Sequence, residues 1–210
     1  KIVYLTEEPE SVWTARLSRL PVGFENVDLV HGMGAKSDKL LSIIYDGADD
    51  VVILDTTRLL QIRDETDNAG INITLTPFIA LCRQKGSTLI LSHHTRKAGG
   101  DNGEAVSGGV AFFGIVDVSL ELSRDKQTIR RRIIKGLGRV FEYPDLVYEL
   151  EDYGTMNLLG DHSLLDFNEL KERVRGVLTD EEQSTKQIED AIGEPKPSRD
   201  STGRVLADLV

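Results

Sequence analysis

Two short apolar runs divide the first half of the chain, and each is followed at once by polar residues. Residues 51–54 are Val-Val-Ile-Leu, and residues 89–91 are Leu-Ile-Leu. Uninterrupted runs of this length are typical of strands that are buried on both faces of a parallel sheet. Parallel sheets bind ligands at the carboxyl ends of their strands. We therefore expect a site at one rim of the sheet, made of Asp55, Thr56, Thr57, His93 and His94.

The rest of the first half alternates between strand and helix patterns. Strands are predicted at residues 1–6 and 27–30, and helices at residues 10–20, 39–45 and 76–83. Residues 61–72 and 95–103 are rich in polar residues and glycine and lack periodicity, so we expect two mobile loops there. The alternation predicts an α/β fold with a mostly parallel sheet flanked by helices.

Short strands and then short helices follow in the second half. Strand patterns recur at residues 116–122, 128–134, 146–150 and 155–159. Their short connections predict antiparallel hairpins at one edge of the sheet. Helical patterns recur at residues 165–178, 182–192 and 198–210, with the rhythm of a winged helix-turn-helix that ends where its wing would begin. We expect a core domain over residues 1–160 and a helical, incomplete winged-helix-like tail over residues 161–210.

Composition narrows the class of protein. The chain has 210 residues, of which 40% are hydrophobic and 29% charged, as in a globular α/β protein. No apolar run approaches the roughly 20 residues of a membrane span, and the single cysteine, Cys82, cannot form an internal disulfide. We therefore expect a cytoplasmic protein with no membrane partner. The net charge of −10 argues against a general nucleic-acid coat protein.

Carboxylates at the ends of two predicted strands indicate phosphoryl transfer. Asp55 is suited to hold Mg²⁺, which takes one or two carboxylates together with water and phosphate oxygens. Glu7 or Glu8, at the end of the first strand, can orient or deprotonate a water molecule. The alternative is purely structural: Asp55 caps a turn, and the two glutamates begin a helix favourably at its dipole.

The paired histidines have two interpretations. A polar side chain at this rim can hydrogen-bond a γ-phosphate and report its loss to the glycine-rich loop that follows. A metal site that uses both is disfavoured, because adjacent residues of an extended chain point to opposite faces. In the alternative, His93 or His94 packs beneath the sheet and the other is solvated.

Positive charge gathers between residues 124 and 139, where seven basic residues and one acidic residue give +6. Phosphate contact is the functional interpretation, and an ordinary solvated strand surface is the alternative for part of the cluster. Lys135 and Arg139 are the favoured functional pair, because Gly136 and Gly138 suit a projecting turn.

Four segments together carry a family resemblance. They are Tyr-Leu-Thr-Glu-Glu at residues 4–8, Val-Ile-Leu-Asp at 52–55, Leu-Ser-His-His-Thr-Arg-Lys at 91–97, and Ser-Gly-Gly at 107–109 leading to Val-Asp-Val at 116–118. Their order and strand context, over residues 1–159, resemble the RecA-like P-loop ATPases. Within that family the similarity is to hexameric replicative helicases of the RepA type and related AAA_25 proteins of phages and plasmids, and more distantly to KaiC and RadA.

The resemblance implies an ATP- and Mg²⁺-dependent enzyme of DNA replication or recombination. Asp55 then looks like the Walker B aspartate that holds Mg²⁺ through water, with Thr56 beside the nucleotide. Glu7 or Glu8 resembles the catalytic glutamate, and His94 or His93 the γ-phosphate sensor. Lys135 and Arg139 resemble residues that reach a neighbour's nucleotide in a homo-oligomeric ring or filament, expected to be a hexamer.

The resemblance also implies two loops that contact single-stranded DNA. Residues 63–72 resemble the first. Residues 95–107 resemble the second, whose contacts would come from Arg96, Lys97, Gly99, Gly100 and Asn102.

One departure limits this interpretation, because the chain contains no G-x-x-x-x-G-K-[ST] phosphate loop. Either the sequence is a fragment that begins after that loop, or the protein is a degenerate relative that does not hydrolyse ATP. The abrupt strand at Lys1 favours truncation, and such a fragment is expected to be inactive alone.

Two further hypotheses stay open. A non-catalytic DNA-binding or adaptor protein would act through the C-terminal helices, with Arg199 and Arg204 as phosphate contacts, although residues 161–210 hold twelve acids against seven bases. A KaiC-like signalling ATPase would share Glu7 and Glu8 but agrees less well with the segment at residues 93–97.

Overall fold

The structure is a computed structural model that describes residues 1–20, 23–62, 64, 66–94 and 111–209, with Tyr153 described by its backbone alone. These residues form two compact units, Lys1–Ser119 and Leu120–Val210, each of which is treated by itself. The domain boundary predicted after residue 160 stays a prediction. In the described part of the chain, no helix is both long and apolar enough to cross a membrane.

The first unit is built on a parallel sheet of four strands. These are β1 (Ile2–Thr6), β2 (Val27–His31), β3 (Val51–Asp55) and β4 (Thr88–Ser92), in the order β2-β1-β3-β4. Thr6 pairs with both His31 and Asp55, and Asp55 pairs with Ser92. All four strands therefore end in one row, and the residues that follow them share one rim.

Helices complete the first unit and bury one face of the sheet. They are α1 (Glu10–Leu17), α2 (Ser37–Asp46), α3 (Asn68–Lys85) and α4 (Ala111–Ile115), with a 3₁₀ turn at Thr57–Leu60. Val3 and Leu5 alternate along β1 with residues of the opposite face and enter the core, as Val52 and Leu54 do along β3. The predicted α/β fold, with a parallel sheet flanked by helices, is confirmed.

The start of α3 corrects one predicted loop. Residues 61–72 were expected to lack structure up to a helix at residue 76, but the helix begins at Asn68. The Asp67 side chain accepts a hydrogen bond from the Ala69 amide, which caps the helix, and Ile71 is fully buried in the core. The sequence did not predict this early start because the first turn of α3 contains asparagine and glycine, which are weak helix formers.

A second antiparallel sheet accounts for the predicted hairpins. Its strands are β5 (Val118–Arg124), β6 (Arg131–Gly138), β7 (Leu146–Leu150) and β8 (Met156–Asp161), in chain order. The strand expected at residues 128–134 begins later, because the Asp125 carboxylate accepts from the amides of Gln127 and Thr128 and builds a turn there. The strand expected from residue 116 begins at Val118, because residues 111–115 form α4.

Three helices end the second unit, close to the predicted positions. They are α5 (His162–Val177), α6 (Thr185–Ile192) and α7 (Arg199–Leu209). A small core of Val174, Ile188 and Val205 joins them. Asp161 caps α5, and Ser184 with Gln187 forms a capping box at α6. Their identity as a winged helix stays a prediction.

Candidate functional site

The aligned ends of β1 and β3 bring two predicted site carboxylates side by side. The Glu7 amide donates to the Asp55 carbonyl oxygen at 3.0 Å, which extends the parallel ladder by one residue. The Thr56 hydroxyl donates to Glu7 Oε1 at 3.3 Å. Thr56 is buried, whereas both carboxylates keep partial access to solvent. Asp55, Thr56 and Glu7 therefore form one continuous polar group at the rim.

Asp55 is held from β1 by an aromatic residue. The Tyr4 hydroxyl donates to Asp55 Oδ2 at 2.6 Å. Burial raises the pKa of Tyr4 well above its usual value, and the hydrogen bond to Asp55 raises that pKa further. Among the described residues, none donates to the second oxygen, Oδ1. Asp55 is therefore fixed through one oxygen and keeps the other for a ligand.

The structure separates the roles of the two glutamates. Both oxygens of Glu8 are bonded to the Arg16 guanidinium, and the Oε1 contact measures 2.7 Å. Arg16 also lies over the ring of Trp13, 5.6 Å from its centroid. Glu7 has no cationic partner within the described residues, and only the Thr56 hydroxyl donates to its side chain. Glu7 is therefore the better placed of the two to act on a water molecule.

A buried hydroxyl fixes the turn that carries these glutamates. Thr6 is fully buried, and its Oγ1 accepts from the Glu8 amide at 3.1 Å and from Trp13 Nε1 at 3.2 Å. His31 Nδ1 lies 2.8 Å from the Glu8 carbonyl oxygen. The path of the chain from β1 into α1 is thus defined by hydrogen bonds on both sides.

The two histidines occupy different environments. His93 Nδ1 lies 2.6 Å from the Thr57 hydroxyl, and its ring stacks on Phe112 with centroids 4.5 Å apart. Thr57 is buried just after β3. His94 is exposed. The structure therefore brings His93, rather than His94, to the rim beside the residues that follow Asp55.

The rim offers ligands of the kind that magnesium prefers. Asp55 Oδ1 and the Glu7 carboxylate are hard oxygen donors, and Mg²⁺ commonly takes one or two carboxylates with water and phosphate completing its shell. The residues present fit the ion, which Asp55 would hold with Thr56 adjacent. In the described ranges, no group of three His, Cys, Asp or Glu side chains is close enough to hold a metal by itself.

Comparison with known proteins shows which proteins this part of the chain is similar to. The AAA_25 family model, described as an AAA domain, matches residues 1–100. The match covers 100 of the 210 residues, and over them the chain is similar to the RecA-like P-loop ATPases. Among solved structures, the chain is similar to a KaiC-like protein from the hyperthermophilic archaeon Pyrococcus horikoshii OT3, at 17% identity, with 75% of each chain covered and a TM-score of 0.54. That likeness shows a shared fold. No curated protein matches the chain.

The predicted functional pair of basic residues, Lys135 and Arg139, belongs to the second unit, whereas the RecA-like rim belongs to the first. Lys135 is within strand β6 and lies 3.8 Å from Asp145, while Arg139 follows the end of the strand. The expected projecting turn around Lys135 is wrong, because Gly136 and Gly138 belong to β6. A Cβ atom at either glycine would come within 2.6 Å of the Tyr143 ring or its Cβ. Close approach of Tyr143 explains the glycines.

Three residues of the basic cluster, Arg130, Arg131 and Lys135, form ion pairs within the second unit. Arg130 lies 3.1 Å from Asp152, and Arg131 lies 2.6 Å from Glu169. The strand face is therefore partly an ordinary ion-paired surface, as the alternative interpretation held. The predicted DNA contacts Arg96, Lys97, Gly99, Gly100 and Asn102 lie outside the described residues, as does Arg63.

Sequence reasoning missed four residues of the RecA-like rim: Tyr4, Thr6, Trp13 and Arg16. A signal for the first two was present. Tyr4 and Thr6 alternate with core residues, so they lie on the sheet face of their register partners Ile53 and Asp55. Trp13 and Arg16 are three residues apart on a helix, which places them on one face. Their hydrogen bonds to β1 and Glu8 required the tertiary structure.

Proposed function

We propose that this chain is the ATPase core of a protein of DNA replication or recombination, which couples ATP hydrolysis to binding or movement along single-stranded DNA. The observation that carries the proposal is the contact of Asp55, Thr56 and Glu7 at the ends of adjacent parallel strands. The match of residues 1–100 to the AAA_25 family model supports the nucleotide chemistry. The DNA specificity rests on the four sequence segments described above.

In this proposal each rim residue has one task. Asp55 would hold Mg²⁺ through a water molecule, and the bound ion would supply positive charge beside the phosphates. Glu7 orients the attacking water and accepts its proton. Thr57 contacts the ring of His93 and orients it, and His93 would sense a phosphate oxygen.

The nucleic acid and the neighbouring subunits would meet other parts of the chain. Arg96 and Lys97, with Gly99, Gly100 and Asn102, would contact the DNA backbone from the loop after β4. Lys135 and Arg139 would approach the nucleotide of the next subunit in a ring or filament, with a hexamer as the proposed state. These partners follow from the resemblance of the segments to RecA-like helicases.

The test is ATP hydrolysis by the natural full-length protein, with and without single-stranded DNA. Asp55→Asn keeps the size of the side chain and removes the charge, so we expect a loss of turnover of about 100-fold or more. The matched control is Asp180→Asn, at an exposed position between α5 and α6. Circular dichroism of each variant checks the fold.

Three results would decide between the candidates. Turnover that DNA stimulates and Asp55→Asn abolishes fits the proposed motor. Turnover that DNA does not change, with the protein itself becoming phosphorylated, fits the KaiC-like signalling alternative. Full activity in Asp55→Asn would contradict the site assignment.

Binding of Arg96→Ala/Lys97→Ala to single-stranded DNA, compared across salt concentrations, tests the loop separately.

One observation favours a second candidate, a DNA-binding adaptor that acts through α7. Arg199 and Arg204 are exposed on that helix, and neither has an acidic partner within the described residues. Gly203 lies between the two arginines, and Ala207 follows them. The small size of these two residues would let DNA approach the helix closely. Duplex DNA affinity of Arg199→Ala/Arg204→Ala is the test. The control is Arg175→Ala, whose side chain is paired with Glu172.

A further inference from the structure

The hydrogen bond between Tyr4 and Asp55 is unusual in its position. It crosses from β1 to β3 on the sheet face opposite the core residues Leu5 and Leu54. In the parallel register, Tyr4 pairs with Ile53 and Thr6 pairs with Asp55, so the phenol reaches diagonally forward to the end of the next strand. The Tyr4 hydroxyl therefore contacts the Asp55 carboxylate from the side of the sheet, and not from the residues that follow the strands.

The ring of Tyr4 is itself held in place. Trp13 packs against it edge to face, with centroids 4.8 Å apart and an angle of 67° between the planes. Trp13 is anchored by its indole Nε1, which donates to the buried hydroxyl of Thr6. Arg16 covers the indole and bonds Glu8. The chain of contacts leaves the Tyr4 hydroxyl little freedom to swing away from Asp55.

We propose that Tyr4 is a positioning residue for Asp55. Its hydroxyl occupies Oδ2 and fixes the rotation of the carboxylate, so that Oδ1 is kept as the acceptor for a water molecule bound to magnesium. The inference rests on the proposed function, because it assigns Tyr4 a role in the same site. It also assigns Glu8, through Arg16 and Trp13, to the support of Tyr4 rather than to the chemistry.

The protonated phenol of Tyr4 suits this arrangement. The phenol must be neutral to donate, and its pKa is raised by burial and by the bond to Asp55. The Asp55 side chain accepts this bond through Oδ2. A neutral donor can orient the carboxylate without cancelling its charge, which a lysine or arginine in the same place would do.

The first experiment compares Tyr4→Phe with wild type in the natural full-length protein. Phenylalanine keeps the ring against Trp13 and removes only the hydroxyl. Mn²⁺ replaces Mg²⁺ as the probe, in the presence of a non-hydrolysable ATP analogue, and its affinity is read by electron paramagnetic resonance. We expect the dissociation constant for Mn²⁺ to rise about tenfold. The matched control is Tyr45→Phe, at an exposed position on α2, which should leave it unchanged.

Asp55→Asn separates failure of the inference from failure of the proposed function. If Asp55→Asn loses Mn²⁺ affinity and Tyr4→Phe keeps it, the role of Tyr4 is overturned and the site assignment stands. If Asp55→Asn also keeps the affinity, the proposed function fails. The half-saturating Mg²⁺ concentration for hydrolysis should rise in Tyr4→Phe at unchanged kcat, whereas a merely structural defect would lower kcat at saturating Mg²⁺.

A titration that leaves Tyr4 in place keeps the inference testable if Tyr4→Phe misfolds. The chain has five tyrosines, and phenolate absorbance follows their ionisation as pH rises above 10. In Asp55→Asn the pKa of Tyr4 should fall below its value in wild type, because the carboxylate no longer opposes a phenolate. An identical titration in both proteins would overturn the hydrogen bond. The emission of Trp13, the single tryptophan, monitors the fold in the same samples.

Discussion

Two carboxylates at the rim of the first unit are held in a different way from the charged side chains on the surface of the second unit. At the rim of the first unit, Thr6, Thr56 and Thr57 are buried, and Glu7 and Asp55 lie among hydroxyl groups without a cationic partner in the described part of the chain. In the second unit, charged side chains pair across the surface, as Arg131 does with Glu169 and Lys171 with Asp208. Charged side chains that form ion pairs stabilise the structure. Carboxylates that are surrounded by neutral donors stay available for chemistry.

The two glutamates after β1 offer the largest test of this distinction. Glu7→Gln should lower ATP turnover by about 10²–10⁴-fold, because it removes a general base and keeps its size. Glu8→Gln should lower it by about tenfold or less, because it weakens only the contact with Arg16. Steady-state hydrolysis by the full-length protein measures both. Equal losses in the two variants would erase the distinction between a paired and an unpaired carboxylate.

Two fully buried threonines, one in each unit, give the next largest effect. Thr6→Val deprives the Glu8 amide and Trp13 Nε1 of their shared acceptor, so the free energy of unfolding should fall by about 1–3 kcal/mol. Thr202 only donates to the Ser198 carbonyl, which already accepts from the Thr202 amide. Thr202→Val should therefore change stability by less than about 0.5 kcal/mol. Urea denaturation monitored by circular dichroism compares them.

The capping box at α6 should have a smaller effect. Ser184→Ala removes the acceptor for the Gln187 amide, and we expect a loss of about 1 kcal/mol with no change in ATP hydrolysis. Ser11→Ala is the control, since this exposed serine of α1 donates and accepts no side-chain hydrogen bond within the described residues. A change in hydrolysis in Ser184→Ala would mean that the second unit influences the rim.

The surface ion pair of the second unit should matter least. A double-mutant cycle on Lys171→Met and Asp208→Asn should give a coupling free energy of about 0.2–1 kcal/mol, because both side chains are partly solvated. Thermal unfolding at low and high salt measures it. A coupling above about 2 kcal/mol would show that pairing in this unit is more than a surface effect.

Sequence reasoning reached the sheet more easily than the site. The apolar runs of β3 and β4 are typical of buried parallel strands. The sequence therefore predicted both the strands and the rim at their carboxyl ends. The start of α3 did not, because its asparagine and glycine are weak helix formers and the burial of Ile71 is a tertiary fact. Hydrophobic periodicity reports which face is buried, and α3 begins before its periodicity becomes regular.

The pairing of charges was beyond the sequence for a related reason. Counting residues 124–139 gives +6, but the partners of Arg130 and Arg131 lie 22 and 38 positions further along the chain. The choice between Glu7 and Glu8 likewise depends on Arg16, one helix away. A count of charges cannot distinguish a patch from a set of pairs until the fold brings the partners together.

The common row at the ends of the four parallel strands limits how this chain can vary in length. Thr6, Asp55 and Ser92 are partners in register, so a single residue inserted within β1 or β3 would turn every later side chain of that strand to the opposite face. Tyr4 would then enter the core, and Leu5 would lie beneath Asp55. Insertions and deletions should therefore be tolerated in the connections at the opposite edge, such as the turn before Val51, and rejected between Ile2 and Glu7.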